Sequence, residues 1–406
     1  MDHRQCEKLK RVVNKTLLSL LLAMAITAVV SDGAAAGPWD EGWLYRKQIV
    51  IDYTQVGANL TDFPMLVSLS ADTDLVARAR HDGGDIIFTD ADNIKLDHQI
   101  ETYDSTTGQL NAWVRIPSLS ATVNTTIFMY YGNSSATGQE NPTGVWDSNF
   151  MIVQHQNEAS GTLYDATANN NDGTPVGGVT QNVTGMIDGA DTFDGTDDYY
   201  TIPDAASLDI DSATGEILME TWIYPHTSGG EDWKSIISKK AINGGGAVNY
   251  QISLDKTTGN LLFYSGHWPQ IWISSVAIPL NTWSYVAVTL KASENRLRFY
   301  RNGVLLDSTV TYLGNGGCFG AANSTVLTIG TAGLIGECYD GMTDEVRLSR
   351  AVRGSGWIKT CYNNQNSPST FYTLGSEEMI AYVTLTPAWQ LVYKGSPFTL
   401  WITQRS

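Results

Sequence analysis

Apolar and polar residues alternate in short runs along most of the chain, and the runs are separated by Gly, Asp, Asn and Pro. Period-2 alternation places one row of side chains on a buried face and the next toward solvent, as in half-buried β-strands. In the first third the runs cover residues 47–51, 63–69, 85–88, 96–100, 111–116 and 126–131. After a Ser-, Gly-, Asn- and Pro-rich stretch at 133–146, which reads as a linker, they resume. The second set covers 152–155, 199–202, 219–224, 235–238, 250–254, 261–264, 283–290, 295–306, 326–329 and 344–349. Within it, Asn302–Gly303 is a strong hairpin signal, because both residues tolerate positive φ. Residues 74–80 fit one or two helical turns, and no other stretch keeps a helical period long enough to matter. The pattern predicts an all-β chain: two consecutive antiparallel β-sandwiches at 39–145 and 150–378, then a short β tail at 379–406. About 25 tail residues cannot bury a core of their own, so the tail either pairs with an exposed sheet edge or belongs to a longer protein.

The N-terminus departs from this pattern. Lys8, Lys10, Arg11 and Lys15 precede an apolar stretch at 17–30, and Ala34, Ala35 and Ala36 offer a small-residue cleavage site. Residues 1–36 read as a signal peptide; a single membrane anchor is the competing reading, for which the stretch is short. The expected location is secreted, extracellular or cell-surface, with no membrane contact in the mature form. A net charge of −17 argues against nucleic acid and anionic membranes as partners. Its carboxylates, many beside Asn and Gly in turns, suit either calcium or a solvated surface. Cys318 and Cys338 lie in glycine-bearing loops flanking residues 326–329, where a disulfide between them and free thiols both fit the sequence.

Three segments carry a resemblance. Residues 193–204 read FDGTDDYYTIPD, residues 219–225 METWIYP and residues 341–348 GMTDEVRL. In this order and spacing they resemble the LamG-like jelly roll of the concanavalin A-like lectin/glucanase superfamily, over about residues 150–378. The earlier elements LTDFPMLVSL, DGGDIIFTDAD and TTIFMYYGN, with the strand at 113–117, resemble an uncharacterised β domain of prokaryotic surface proteins. That family commonly precedes a LamG-like domain and carries no established activity. The tail resembles the opening strands of an Ig-like or cohesin-like module.

The resemblance implies a calcium ion joining an early loop to the final strand. By position its ligands would be Asp344, with Asp165 and Asp172 from the loop after the first strand; the alternative for Asp344 is an ion pair with Arg347 or Arg350. Glycosidases of the superfamily display E-x-D-x-x-E on one strand face. The nearest match, Glu216 to Glu220, has Leu218 at its centre and lacks the relay acid, so no catalytic site is expected. Trp268 and Trp272, with His267 and Trp233, gather aromatics where a loop-rich rim is expected. They would suit the flat faces of sugars, or simply pack under a loop. Trp222 and Trp283, within alternating strands, read as core. The function expected is non-catalytic binding or adhesion, with a glycan or surface polysaccharide as partner. The alternative is a structural spacer that assembles with other surface proteins, with glycoside hydrolysis a distant third.

Overall fold

The computed structural model describes residues 37–382 and 398–401, except 212–213, 229–231, 241–247, 267–270, 308–309, 312–318, 321 and 333–336. The signal peptide expected at 1–36 lies outside the described residues, as do 383–397 of the tail.

Strands dominate, and the first module pairs two sheets. In one, Tyr45–Ile51 runs antiparallel to Thr125–Tyr131, which pairs with Ile87–Asp90 and through it with Lys95–Leu96. In the other, Gln109–Leu119 lies between Leu60–Leu69 and His98–Asp104. Alternation along Gln109–Leu119 sends Leu110, Ala112, Val114 and Ile116 into the core with Met65, Val67, Phe88 and Met129. It turns Asn111 and Trp113 to the opposite face.

The second module is a two-sheet sandwich. Its nine-stranded proximal sheet contains Thr180–Ile187, Gly189–Asp194, Asp340–Ser349, Glu216–Pro225, Ser284–Lys291 and Arg296–Arg301 in spatial order, with Phe150–Gln154 also paired to Asp340–Ser349. Its seven-stranded distal sheet runs Ile271–Ala277, Asn260–Gly266, Val248–Leu254, Lys234–Lys240, Leu327–Ile329, Tyr199–Ile202, Thr174–Val176. Ile217, Met219, Val286, Val288 and Leu348 of the proximal sheet meet Ile237, Ile252, Leu261, Phe263 and Ile329 of the distal sheet to form the core. Asn302 and Gly303, at φ 51° and 75°, turn Arg296–Arg301 into Val304–Leu305 as a two-residue hairpin.

The outward face of the proximal sheet is apolar as well. Leu218, Trp222, Tyr285, Ala287 and Tyr300 alternate with the sandwich core residues and belong to the same packed cluster as the first module's interior. Between them lies the helix Ser355–Asn366, which buries Trp357, Ile358, Cys361, Asn364 and Gln365. Trp357 packs edge-on against Phe63 at 5.1 Å, and Gln365 Oε1 accepts from Trp222 Nε1 at 2.7 Å. The sequence reading missed this helix, because two of the positions that repeat at helical spacing are amides rather than apolar residues.

Those amides have specific partners. Leu60–Leu69 is a sheet edge, and Asn364 satisfies it by donating to Leu66 O (2.9 Å) and accepting from Leu66 N (2.7 Å). Tyr372 Oη does the same for Ser68, donating to its carbonyl at 2.8 Å and accepting from its N–H at 2.9 Å. Tyr372–Leu374 and Glu378–Tyr382 then pair antiparallel with Tyr45–Ile51. Residues 355–382 therefore complete the first module, although the sequence reading attaches most of them to the second. Glu378–Tyr382 also pairs in parallel with Phe398–Trp401, so this part of the tail extends the first module's sheet. The stretch read as a linker is packed at its end, with Val145 and Trp146 buried.

Asn364→Ala strips the partners from both backbone groups of buried Leu66. At about 1–3 kcal/mol per orphaned group, urea unfolding is expected to lose at least 1 kcal/mol of stability without a change in secondary structure.

Candidate functional site

The aromatics singled out by sequence divide between two faces of the distal sheet. Along Asn260–Gly266, Leu261 and Phe263 point into the sandwich core, and Leu262 and Tyr264 point outward. Trp233 stands edge-on to Tyr264 at 5.9 Å and packs with Val248, Leu262 and Ile271 on the outer face. Trp272 is in register with Phe263 and leans on the core, with ring centres 6.2 Å apart. Strand alternation therefore separates Trp233 from Trp272, and they share no concavity. His267 and Trp268 lie outside the described residues.

Beside the outer apolar patch runs a polar row that the sequence reading did not single out. Gln251 lies opposite Tyr264, and Ser253 opposite Leu262. Gln251 Nε2 donates to Ser253 Oγ (2.9 Å) and to Glu337 Oε2 (2.7 Å), while Lys240 Nζ reaches Glu337 Oε1 at 2.5 Å. Indole, phenol, carboxamide, carboxylate and ammonium thus occupy one face.

The acids expected to bind calcium do not fit it. Asp165 accepts from Val153 N and Thr167 N at Oδ1, and from Thr167 Oγ1 and Asn171 N at Oδ2, all between 2.8 and 3.0 Å. Asp172 Oδ1 accepts from Asp165 N at 2.9 Å. Asp344 is buried, and its Oδ2 accepts from Met186 N and Ile187 N at 2.8 Å. Most of these oxygens face N–H donors, where a cation would meet positive dipoles. Among the described residues, no cluster of three metal-ligating side chains includes any of the three. Arg347 and Arg350 do not pair with Asp344 either: Arg347 binds Glu345, and Arg350 donates to Ser207 O at 2.7 Å. Cys338 is a free, buried thiol donating to Thr196 O at 3.1 Å, not half of a disulfide; Cys318 lies outside the described residues.

Two other groups bring ligating atoms within 4.8 Å of one another: Glu101, His155 and Glu345, and Asp194, Asp197 and Asp198. The first lies where the modules meet. A register shift opposite Glu220 and Trp222, with Glu345 at φ 55°, places the adjacent acids Asp344 and Glu345 both in buried surroundings. His155 Nδ1 lies 2.7 Å from Glu345 Oε1 and 3.6 Å from Glu101 Oε2, and its ring stacks on Trp113 at 5.9 Å. Its Nε2 faces Gln99 Oε1 at 3.3 Å, the oxygen that also accepts from Trp146 Nε1. Arg347 binds Glu345 Oε2 through both Nε and Nη2, and its guanidinium lies 4.2 Å from the Trp113 ring and 4.9 Å from that of Trp146.

Electrostatics separates the acids of this cluster. Burial, reinforced by the charges of Glu345 and Asp344, lifts Glu101 well above the usual carboxylate range. Asp344 is raised well above it by burial and then by Glu345. For Glu345, burial opposes ionisation but His155 and Arg347 outweigh it and hold the group low. Glu345 is thus held between the Arg347 guanidinium on Oε2 and the His155 imidazole on Oε1, both packed on Trp113 of the first module, which ties the two modules together at this point. Nothing in the sequence flags this cluster, because His155 and Glu345 lie 190 residues apart.

The Glu216–Glu220 pair forms no accessible site. Glu220 is 1 % exposed and accepts from Tyr285 Oη at 2.7 Å, and burial raises its pKa. Glu216 pairs with Lys291 at 3.2 Å and accepts from Val352 N.

With this geometry in hand, the comparisons place the modules. Residues 194–359 match the model of the concanavalin A-like lectin/glucanases superfamily. The second module is concanavalin A-like. Residues 82–174 match a domain of unknown function, DUF2341. No curated protein matches the chain. Among solved structures it is similar to the binding domain of Paraclostridial Mosquitocidal Protein 1, with 16 % identity and TM-score 0.42 over 53 % of this chain and 52 % of that one. It is also similar to domain 4 of AbnA, a GH43 extracellular arabinanase from Geobacillus stearothermophilus, in complex with arabinotriose. That match has 19 % identity and TM-score 0.41 over 52 % of this chain and 97 % of that one. A third is the binding domain of Botulinum Neurotoxin DC in complex with SialylT, with 14 % identity and TM-score 0.42 over 54 % and 52 %. The chain spans about half the length of the mosquitocidal and neurotoxin binding domains it matches.

Replacing Arg347 by Met leaves Glu345 buried against His155 alone and is expected to cost about 3–5 kcal/mol in denaturant unfolding. Arg347→Met combined with Glu345→Gln should recover a large part of that loss, because the unpaired charge is gone. A double-mutant cycle measures the coupling.

Proposed function

We propose that this protein is a secreted or cell-surface binding protein that recognises glycans without transforming them, through the outer face of its distal sheet. The observation that carries the reading is the Trp233–Tyr264 aromatic pair beside the partly exposed Lys240–Glu337 pair, which the buried Gln251 holds in place. Sugars present C–H faces to aromatic rings and hydroxyls to amides and acids, and both halves of that chemistry occur here. The superfamily matched by residues 194–359, which includes lectins, supports the same reading. The secreted location rests on the charged and apolar pattern of residues 1–36. The core shared by the two modules favours a second reading, a stiff spacer within a surface assembly.

A glycan array separates the two. Wild type should bind a defined subset of glycans, and Trp233→Ala should weaken that binding at least about tenfold, as expected for loss of an aromatic anchor. Binding of no glycan by a folded protein would leave only the spacer.

For the calcium implied by the fold, we propose the group Asp194, Asp197 and Asp198, whose ligating atoms lie together; Asp197 would be its free carboxylate, since Asp194 Oδ1 and both Asp198 oxygens also accept from backbone N–H groups. The Asp197 carboxylate accepts no hydrogen bond among the described residues. Calcium added after chelation should raise the melting midpoint of wild type and leave that of Asp197→Asn unchanged.

A further inference from the structure

We propose that the junction of the two modules holds a second ligand site, separate from the distal sheet, which takes one neutral sugar residue. The site is a cavity of about 240 Å³ between the first module's Leu60–Leu69 and Gln109–Leu119 strands, residues 186–188 of the second module, and the end of the helix Ser355–Asn366. At about 30 Å³ per water this equals roughly eight waters, room for a sugar ring but not for a chain.

Four carboxamides line the cavity, Gln109, Asn111, Gln365 and Asn366, and two of them are buried. Asn111 is 5 % exposed and lines it from the face of Gln109–Leu119 that looks toward the second module. Its side chain has no hydrogen-bond partner among the described residues. Gln365 is 3 % exposed and lines the same cavity. Its orientation is set, because the Trp222 indole N–H can only donate and does so to Oε1 at 2.7 Å. Nε2, with two N–H donors, is left without a partner among the described residues. Neither amide is cut off from solvent, so these groups remain open to water and a ligand hydroxyl can take the place of that water.

The remaining wall selects the class of ligand. Among the described residues no Lys, Arg or His lines the cavity, so these walls offer an anion no compensating charge. Asp188 lines it with its backbone at φ 54°, and its Oδ2 is already engaged by Thr102 Oγ1. One carboxylate oxygen thus remains to accept from a ligand. Ser68 and Ser70 add hydroxyls, while Met186 and Pro368 add apolar surface. Amides and hydroxyls that both donate and accept, one spare acceptor and a patch for C–H groups are complementary to a polyhydroxylated ring. With no aromatic platform the affinity belongs in the millimolar range.

The experiment uses the full chain labelled with 15N and follows the side-chain amide signals of Asn111 and Gln365 during titration with glucose, galactose, arabinose and N-acetylglucosamine, each also as its methyl glycoside. At least one sugar is expected to shift both amides saturably, and Asn111→Ala should weaken the binding at least about fivefold. Trp233→Ala, which removes the distal platform, should leave these shifts in place, so failure of one site is distinguishable from failure of the other. Binding of the methyl glycosides would assign the site to a glycan terminus; binding of the reducing sugars alone would assign it to free sugar. Absence of a saturable shift at both amides in folded wild type, or binding unaffected by Asn111→Ala, overturns the proposal.

Discussion

The outward face of the proximal sheet cannot stand in water, and the architecture follows from that constraint. An antiparallel sandwich ordinarily keeps its outer faces polar. Here Trp222, Tyr285 and Tyr300 project from the outer face and are buried in the same cluster as the interior of the first module. Exposed together they would form a large apolar patch of the kind that drives association. The first module and the helix Ser355–Asn366 cover them, and the chain returns after its last sandwich strand to do so.

Burial of apolar area sets no orientation, and the polar groups at the junction supply one. Arg347 lies within cation–π range of both Trp113 and Trp146 and grips Glu345, which is also bound by His155. These contacts form together in only one docking geometry, and specifying geometry is the best-attested use of buried ion pairs. The cost of burying so many acids is met by holding Glu101 and Asp344 toward their neutral forms while Glu345 alone is driven to ionise. This union buries the outer face of the proximal sheet and leaves the distal sheet on the far side of the sandwich.

Much of this was legible in the sequence, for identifiable reasons. Period-2 runs marked the strands, and Asn302–Gly303 marked its hairpin, because both signals depend only on neighbours in sequence. The helix was not legible, since Asn364 and Gln365 occupy core-facing positions as polar residues whose partners, Leu66 and Trp222, lie far away in the chain. His155 gives no signal in the sequence, because its partner Glu345 is 190 residues away. Trp233 and Trp272 were grouped by composition, whereas the strand pairing that puts them on opposite faces is set by register. The aspartates expected to bind calcium suit the ion by type, but both oxygens of Asp165 and Oδ2 of Asp344 are engaged by backbone N–H groups, and only Oδ1 of Asp344 is buried without a partner.

The first module's interior forms one cluster with the outer face of the proximal sheet, whose inner face belongs to the sandwich core, so the two modules are expected to open together. Native-state hydrogen exchange of the whole chain tests it most directly, comparing amides of Val67 and Ala112 in the first module with those of Ile252 and Phe263 in the second. The account predicts that the slowest amides of both modules exchange with the same opening free energy and the same denaturant dependence. Exchange of Val67 and Ala112 through a lower-energy opening that leaves Ile252 and Phe263 protected would contradict it.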